Sequence, residues 1–218
     1  MICKLVNSVS VLMFLMVLTG NGSIASAAAA EGFYLGLQGG INNMDDTESN
    51  GAEGEMDSGY SISGIVGYDF GYVRVEGEVA YRENDIDKIT ILGNNTVSSG
   101  DVTSTAFMLN AYLDIENRTP FTPYIGAGIG FNYVEDNGTA IYGSSTTVRY
   151  DDSDTVLAYQ LAAGVAWDVT KSIVLDLSYK YLNAEDVKVA GTSNWGVTLD
   201  GEIDYESQSL MIGLKWYF

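Results

Sequence analysis

The chain of 218 residues carries 29 acidic and 10 basic side chains, so its formal net charge is −19. Nucleic-acid phosphates repel a protein of this charge, which argues against a nucleic-acid partner. The sequence contains no histidine and one cysteine, so the usual catalytic bases and metal ligands are missing, and we expect no catalytic residue, metal site or cofactor.

The first thirty residues have the layout of a secretory signal peptide. A positive charge precedes an apolar run at residues 9–18, and small residues follow up to Ala27 and Ala30. The run is too short to span a bilayer as a helix, which needs about 20 apolar residues. The sequence therefore predicts a signal peptide over residues 1–30, cleaved after Ala27 or Ala30, and a single domain over residues 31–218.

Eight segments of about ten residues follow, and in each of them apolar side chains recur at every second position. A β-strand points successive side chains to opposite faces, so this period predicts strands with one apolar and one mixed face. The spaces between the segments are alternately long and short, as in consecutive antiparallel hairpins. The sequence thus predicts an all-β protein that forms an eight-stranded antiparallel up-and-down barrel. The predicted strands cover residues 33–41, 60–70, 73–82, 107–115, 125–133, 159–168, 173–181 and 208–218.

The charged residues of these segments all lie on the mixed faces. A Lys or Arg on the lipid face of a membrane barrel costs about 2–4 kcal/mol at mid-bilayer, so such a barrel must keep its charges inside. A soluble barrel shows the reverse arrangement, with an apolar interior. We therefore predict a transmembrane β-barrel. The counted strand charges, four basic and four acidic, are Arg74, Glu76, Glu78, Arg82, Asp114, Asp176, Lys180 and Lys215.

Aromatic residues on the apolar faces form two predicted girdles, as at the two edges of a bilayer. Ten residues per strand, rising about 3.3 Å each at a tilt of about 40°, span roughly 25 Å, the height of the apolar band of a membrane barrel. The girdle toward the long connections contains Tyr60, Tyr81, Tyr133, Tyr159, Tyr179 and Tyr181. The girdle toward the short turns contains Phe33, Tyr68, Phe70, Trp167, Trp216 and Phe218.

The lumen of an eight-stranded barrel is only wide enough to be filled by side chains. Buried charges persist only when they are paired, so the four basic and four acidic strand residues predict a structural ion-pair network inside a plugged barrel. The alternative is a narrow path for ions or small solutes, that is, a small porin. Glycines on the mixed faces favour closure of a tightly curved barrel, although they also leave local room.

Two stretches carry a family resemblance: TPYIGAGIGF at residues 122–131 and the terminal LKWYF at residues 214–218. They resemble small outer-membrane barrels of the opacity-protein and surface-antigen superfamily, which are similar in architecture to the OmpX and OmpA barrels. The resemblance implies a Gram-negative outer membrane, with the short turns and both termini in the periplasm and the long connections outside. It also implies contact with outer-membrane lipid and lipopolysaccharide. The assembly machinery of that membrane is expected to recognise the C-terminal strand, which ends at Phe218.

The four long connections hold 21 acidic and three basic residues, a net charge of −18. A field of this sign attracts cationic partners, and loops on a rigid scaffold are frequent binding sites. We therefore predict an envelope-structural and surface-interaction role, adhesin- or antigen-like. A host or cationic surface ligand is expected at the loops, with Trp195 and Tyr142 as candidate anchors. The alternatives are a solvated loop crown without a partner and, at residues 46–57, a faint match to a calcium loop. The connections cover residues 42–58, 83–101, 135–154 and 183–206.

Overall fold

The computed structural model describes the chain from residue 31 to the C-terminus with short gaps, and near the hairpin tips it describes the backbone alone. The described residues are 31–44, 47–49, 52–56, 58–91, 94–115, 117–142, 146–193 and 198–218. Their strands are β1 (Gly32–Met44), β2 (Thr47–Ser49), β3 (Ala52–Met56), β4 (Gly59–Asp69), β5 (Val73–Ile91), β6 (Asn94–Asp114), β7 (Phe121–Tyr142), β8 (Thr146–Asp168), β9 (Ile173–Ser193) and β10 (Thr198–Tyr217). No helix in this part of the chain is long and apolar enough to cross a membrane.

Eight of these strands close into an antiparallel barrel, and each pairs with the barrel strand before it and the one after it. Strands β1 and β10 complete the ring, with Leu37 opposite Leu214. The two short strands β2 and β3 pair with each other, and β3 extends the sheet beside the far end of β5. The predicted eight-stranded up-and-down architecture is confirmed.

Side chains alternate between the lumen and the outer surface along the barrel strands, as their period of two predicts. On β1, Leu37 is 70% exposed, whereas the next residue, Gln38, is 4% exposed. On β5 the valines face outward, and the charged residues of the predicted third segment are buried. The outer surface is therefore apolar between the two aromatic girdles, and the strand charges point inward.

Short turns close one end of the barrel. Gly71, between β4 and β5, has a φ of +93°, a left-handed conformation that favours glycine. Its N–H donates to Asp69 at 2.7 Å, which fixes the turn. Between β6 and β7, the side-chain amide of Asn117 donates to the carbonyl of Phe121 at 2.7 Å. These turns are the connections that the sequence predicts to be short.

At the other end, the prediction of long loops at residues 83–101, 135–154 and 183–206 is wrong. Strands β5 to β10 continue through most of these residues as paired hairpins, with Val97 opposite Ile141, for example. In these extensions polar residues occupy both odd and even positions, so the sequence shows no apolar face that would predict a strand. The backbones can still pair, because hydrogen bonds between strands do not require an apolar face. The remaining predicted loop, at residues 42–58, also contains strands, namely β2 and β3. We call this part of the barrel the hairpin end.

The hairpin end projects well beyond a membrane. Strand β8 has 23 residues. At a rise of about 3.3 Å per residue and a tilt of about 40°, it reaches a height of about 58 Å, roughly twice the apolar band of a membrane barrel. The acidic residues of the predicted loops are therefore carried largely by paired strands.

Candidate functional site

The lumen near the short turns contains an ion-pair network centred on Arg74. This side chain forms a fork with the Asp114 carboxylate, with Nε–Oδ2 and Nη2–Oδ1 distances of 2.6 and 2.9 Å. Its third nitrogen, Nη1, lies 3.2 Å from Oε1 of Glu76. Two neighbouring strands, β5 and β6, supply the three residues, whose side chains point to the same side of the sheet. All three are largely removed from solvent.

Lys215 continues the network from the C-terminal strand. Its ammonium lies 3.0 Å from Oε1 of Glu76 and 3.2 Å from Oδ2 of Asp176. Two tyrosines satisfy the same carboxylates, since Tyr34 donates to Glu76 at 2.7 Å and Tyr124 donates to Asp176 at 2.9 Å. Each buried carboxylate therefore has both a charged and a neutral donor, which a buried charge needs in order to be stable.

A second ion pair joins Lys180 and Glu78 nearer the middle of the barrel. Lys180 also donates to Oε1 of Gln38 at 2.7 Å. On the other side, Asn110 and Gln160 donate to Oε2 of Glu78 at 2.8 and 3.1 Å. This pair is buried, and amide side chains from three further strands surround it.

Arg82 is the exception among the eight predicted lumen residues. It is 1% exposed, yet its polar contact is with Oε1 of Gln160, at 3.4 Å from Nη2, and it forms no ion pair with a described residue. Its Nε and Nη1 atoms have no hydrogen-bond partner among the described residues. The structure brings the other seven predicted residues together in ion pairs and places Arg82 apart from them.

Asp69 is a lumen charge that our count of the sequence omits. It is buried at the short-turn end and accepts a hydrogen bond from the Tyr217 hydroxyl at 3.1 Å. The signal was present, because Asp69 is the last residue on the mixed face of the second segment.

Aromatic rings fill the space around the network. The guanidinium of Arg74 lies 4.7 Å from the centroid of Tyr124, a cation–π contact. Glycines make room for these rings: a Cβ on Gly164 would lie 2.5 Å from Cζ of Tyr124, and one on Gly126 would overlap Cδ1 of Tyr112. Glycine at these inward positions therefore leaves the space that the tyrosine rings of the neighbouring strands occupy.

Toward the hairpin end, ion pairs give way to a mixture of buried apolar and neutral polar side chains, with Arg82 among them. A cluster of buried apolar side chains lies there, contributed by six of the barrel strands. We call it the apolar plug. Its members are Met44, Val102, Ala106, Met108, Val134, Ala158, Leu182, Ala184, Val187 and Tyr205. The apolar plug narrows the lumen above the ion pairs, where it lies beside buried polar side chains such as Asn42 and Asn132.

Carboxylates line the outer surface of the hairpin end just beyond the tyrosine girdle. The hydroxyls of Tyr60 and Tyr81 both donate to Oε2 of Glu83 at 2.7 Å. These hydrogen bonds, from Tyr81 first and Tyr60 second, hold the pKa of the Glu83 carboxyl below its usual value. Tyr133 donates to Glu135 at 2.9 Å in the same way. The hydroxyls of the girdle thus orient both carboxylates, and at Glu83 they favour the ionised form.

Three candidates from the sequence lie outside the described side chains. These are the anchors Trp195 and Tyr142 and the calcium-like stretch at residues 46–57. Among the residues that the structure describes, no group of three or more acidic or cysteine side chains is placed to hold a metal ion.

Comparison with known proteins points to one family. The model of the outer membrane protein beta-barrel domain matches residues 12–218. Outer membrane protein PagN of Salmonella typhimurium is 29% identical over 227 residues, which covers 89% of this chain and 93% of that protein. A putative adhesin of Rickettsia typhi is 23% identical over 125 residues, covering 57% of this chain and 56% of that protein.

Among solved structures, Neisserial surface protein A has the same fold. The TM-score is 0.54 at 21% sequence identity, and the match covers 85% of this chain and 97% of that chain. At this identity the likeness concerns the backbone architecture.

Proposed function

Because the chain belongs to the family of outer membrane protein beta-barrel domains, we propose that it is an adhesin-like surface protein of the Gram-negative outer membrane. In this proposal the barrel is a sealed scaffold. It holds an acidic hairpin end away from the membrane, where that end binds a cationic surface. The same rigid barrel contributes to the structure of the envelope.

The observation that carries this proposal is the division of charge along the barrel. The four hairpin regions contain 21 acidic residues against three basic ones, whereas the short turns contain two basic residues, Arg118 and Lys171, and one acidic residue, Glu116. Among the described carboxylates of the hairpin end, Glu83 and Glu135 are held on the outer surface by tyrosines. A fixed acidic surface of this kind attracts basic partners and repels anionic ones.

The relatives support a surface role, since one of them is named a putative adhesin and another is an outer membrane protein that covers most of this chain. The alternative, a small porin, has less support. The apolar plug and the paired charges of Arg74, Lys180 and Lys215 occupy the lumen at successive heights. A path for hydrated ions would require these groups to separate.

We further propose how the chain is targeted to the outer membrane and inserted there. Residues 1–30 act as a signal peptide, removed after Ala27 or Ala30, and residues 31–218 form the mature barrel. The C-terminal strand, ending at Phe218, is the segment that the assembly machinery recognises. Its outward side chains, including Trp216 and Phe218, are apolar and exposed, which supports this proposal.

The test is binding of cells that display the protein to surfaces coated with polylysine and to cultured host cells. The variant replaces Glu83 and Asp85 by amides together with Asp101, which lies opposite Asp85. We expect weaker binding by the variant and a smaller loss of binding in 1 M salt, where charges are screened beyond about 3 Å. The control is Glu31→Gln, an exposed acid beside the short turns. Equal binding by wild type, variant and control would contradict the proposal.

A further inference from the structure

Arg82 is a buried cation that forms no ion pair with any residue the structure describes. It lies on β5 with 1% of its surface exposed, and its Nη2 is 3.4 Å from Oε1 of Gln160. Its Nε and Nη1 atoms have no hydrogen-bond partner within the described part of the chain. A buried charge without a counter-charge is strongly unfavourable, so we expect a counter-ion beside this guanidinium.

The nearest lumen carboxylate on the same strand, Glu78, is already engaged. It lies four residues before Arg82 and faces the same lumen. Its Oε1 accepts a hydrogen bond from Lys180, and its Oε2 accepts from Asn110 and Gln160 at 2.8 and 3.1 Å. Lys180 balances the charge of Glu78, and Arg82 therefore remains as a surplus positive charge above this pair, toward the hairpin end.

Two further hydrogen-bond donors lie near Arg82 and lack partners among the described residues. On β4 and β6, Ser61 and Ser104 lie directly opposite Arg82. Ser104 donates to Oδ1 of Asn132 at 2.6 Å, which leaves Nδ2 of Asn132 as a donor. This Nδ2 and the Ser61 hydroxyl are the two donors, and both residues are buried. We call the space bordered by Arg82, Ser61 and Asn132 the Arg82 site.

Small side chains leave room for an ion in the Arg82 site. In the row next to Arg82, Ala80 lies opposite Ala106, and Ala106 lies opposite Asn132. On β8 and β9, Ala158 and Ala184 lie opposite each other and are buried in the lumen. A methyl group reaches only a short way from its strand, so these four alanines leave space beside the guanidinium.

We propose that the Arg82 site binds one chloride ion in the lumen of the folded barrel. Chloride supplies the single negative charge that Arg82 lacks. The site offers this ion donors alone, namely the guanidinium, the Ser61 hydroxyl and the Asn132 amide. A divalent oxyanion fits less well, because it would overcompensate one arginine. It would also be repelled by the Glu78 carboxylate, to which Gln160 connects the guanidinium.

The acidic hairpin end does not oppose this binding. Its described carboxylates Glu83 and Glu135 are held by tyrosines of the outer surface, and physiological salt screens exposed charges beyond about 8 Å. The guanidinium acts at contact distance in a medium of low dielectric, where attraction between charges is several times stronger than in water. Binding at the Arg82 site is independent of the adhesive role of the hairpin end, so failure of one leaves the other standing.

The first experiment locates the ion in the wild-type protein. The mature barrel is refolded in detergent and crystallised in sodium bromide, because bromide replaces chloride and is identified by its anomalous scattering. We expect one anomalous peak in direct contact with the Arg82 guanidinium. A water molecule at this position, or bromide at the outer surface as an adventitious ion only, would overturn the proposal.

The second experiment measures the effect of chloride on stability. Urea unfolding is followed at constant ionic strength while sodium chloride replaces sodium gluconate, whose anion is too large for the site. Once chloride exceeds its dissociation constant, each tenfold increase should raise the ratio of folded to unfolded protein about tenfold. The variants are Arg82→Gln, which removes the cation, and Asn132→Asp, which supplies a fixed carboxylate in place of the ion. The control is Arg118→Gln, at an exposed position in a short turn.

We expect chloride to stabilise the wild type and Arg118→Gln, and to have no such effect on Arg82→Gln and Asn132→Asp. Without chloride, Asn132→Asp should be as stable as the wild type is with chloride, a result that loss of a structural amide would not produce. Equal stability of the wild type in both salts, or a chloride effect that persists in either variant, would overturn the proposal. If Arg82→Gln does not fold, Asn132→Asp and the bromide crystal decide.

Discussion

Breaking the buried pair of Lys180 and Glu78 should destabilise the barrel more than removing the pair altogether. In Glu78→Gln, the Lys180 ammonium keeps Gln38 as an acceptor but loses its counter-charge in a site closed to solvent. An uncompensated buried charge of this kind costs about 3–5 kcal/mol. We expect a similar cost for Lys180→Met, which leaves the Glu78 carboxylate with amide donors alone.

The double variant Glu78→Gln/Lys180→Met removes both charges of the pair, and the amide oxygen introduced in place of the Glu78 carboxylate still accepts hydrogen bonds from Asn110 and Gln160. Its cost should therefore be small, about 1–2 kcal/mol, which is the size of one or two altered hydrogen bonds. The coupling free energy between the two sites would then be at least about 4 kcal/mol, or nearly a thousandfold in the unfolding equilibrium.

The assay is urea unfolding of the refolded barrel in phosphatidylcholine vesicles, followed by tryptophan fluorescence. Lys171→Gln, an exposed position in a short turn, serves as control and should change stability by less than about 0.5 kcal/mol. If the double variant costs as much as the two single variants together, the two residues are not a sealed pair. Single variants with the same free energy of unfolding as the control would also contradict the prediction.

The remaining predictions concern the lumen and the girdle. Gly164→Ala should destabilise the barrel by about 1–3 kcal/mol in the same assay, because its methyl meets the Tyr124 ring, whereas Gly64→Ala should be near neutral. The pKa of the Glu83 carboxyl, followed by carbon-13 NMR, should lie below its ordinary value, and Tyr60→Phe/Tyr81→Phe should raise it. In planar bilayers the wild-type barrel should show no defined single-channel step, because the apolar plug and the ion pairs fill its axis.

Each of these has a contradicting result. If Gly164→Ala and Gly64→Ala were equally stable, the tyrosine ring would not need the space that the inward glycine leaves. If the pKa of Glu83 did not change in Tyr60→Phe/Tyr81→Phe, the two tyrosine hydroxyls would not be the cause of its low value. A reproducible conductance step that disappears on neutralising Arg74 would show an ion path through the network.

The barrel could be predicted from the sequence because one physical rule governs the side chains of its membrane-spanning strands. Lipid forbids charges on one face, so alternation such as Val73, Arg74, Val75 and Glu76 reports the membrane directly. The same rule explains the failure beyond the membrane, where water meets the outer face and alternation vanishes although the strands continue. Residues 135–154 are paired strands over most of their length, yet they look like a loop because neither face is apolar.

The arrangement inside the lumen needed the structure. Alternation shows that Arg82 and Lys180 point inward, but not which carboxylate each one meets across the barrel. That depends on the stagger of all eight strands, which places Lys180 beside Glu78 and leaves Arg82 near Gln160.

Paramagnetic broadening in bilayers measures directly which face of the sheet meets lipid. The barrel is reconstituted with phosphatidylcholine that carries a nitroxide on its acyl chain, and the methyl signals of Ile129, Leu214, Met108 and Met211 are compared. We expect strong broadening of the two exposed residues, Ile129 and Leu214, and little of the two buried methionines. Stronger broadening of the methionines, or equal protection of all four methyl groups, would contradict a barrel with lipid outside and charges within.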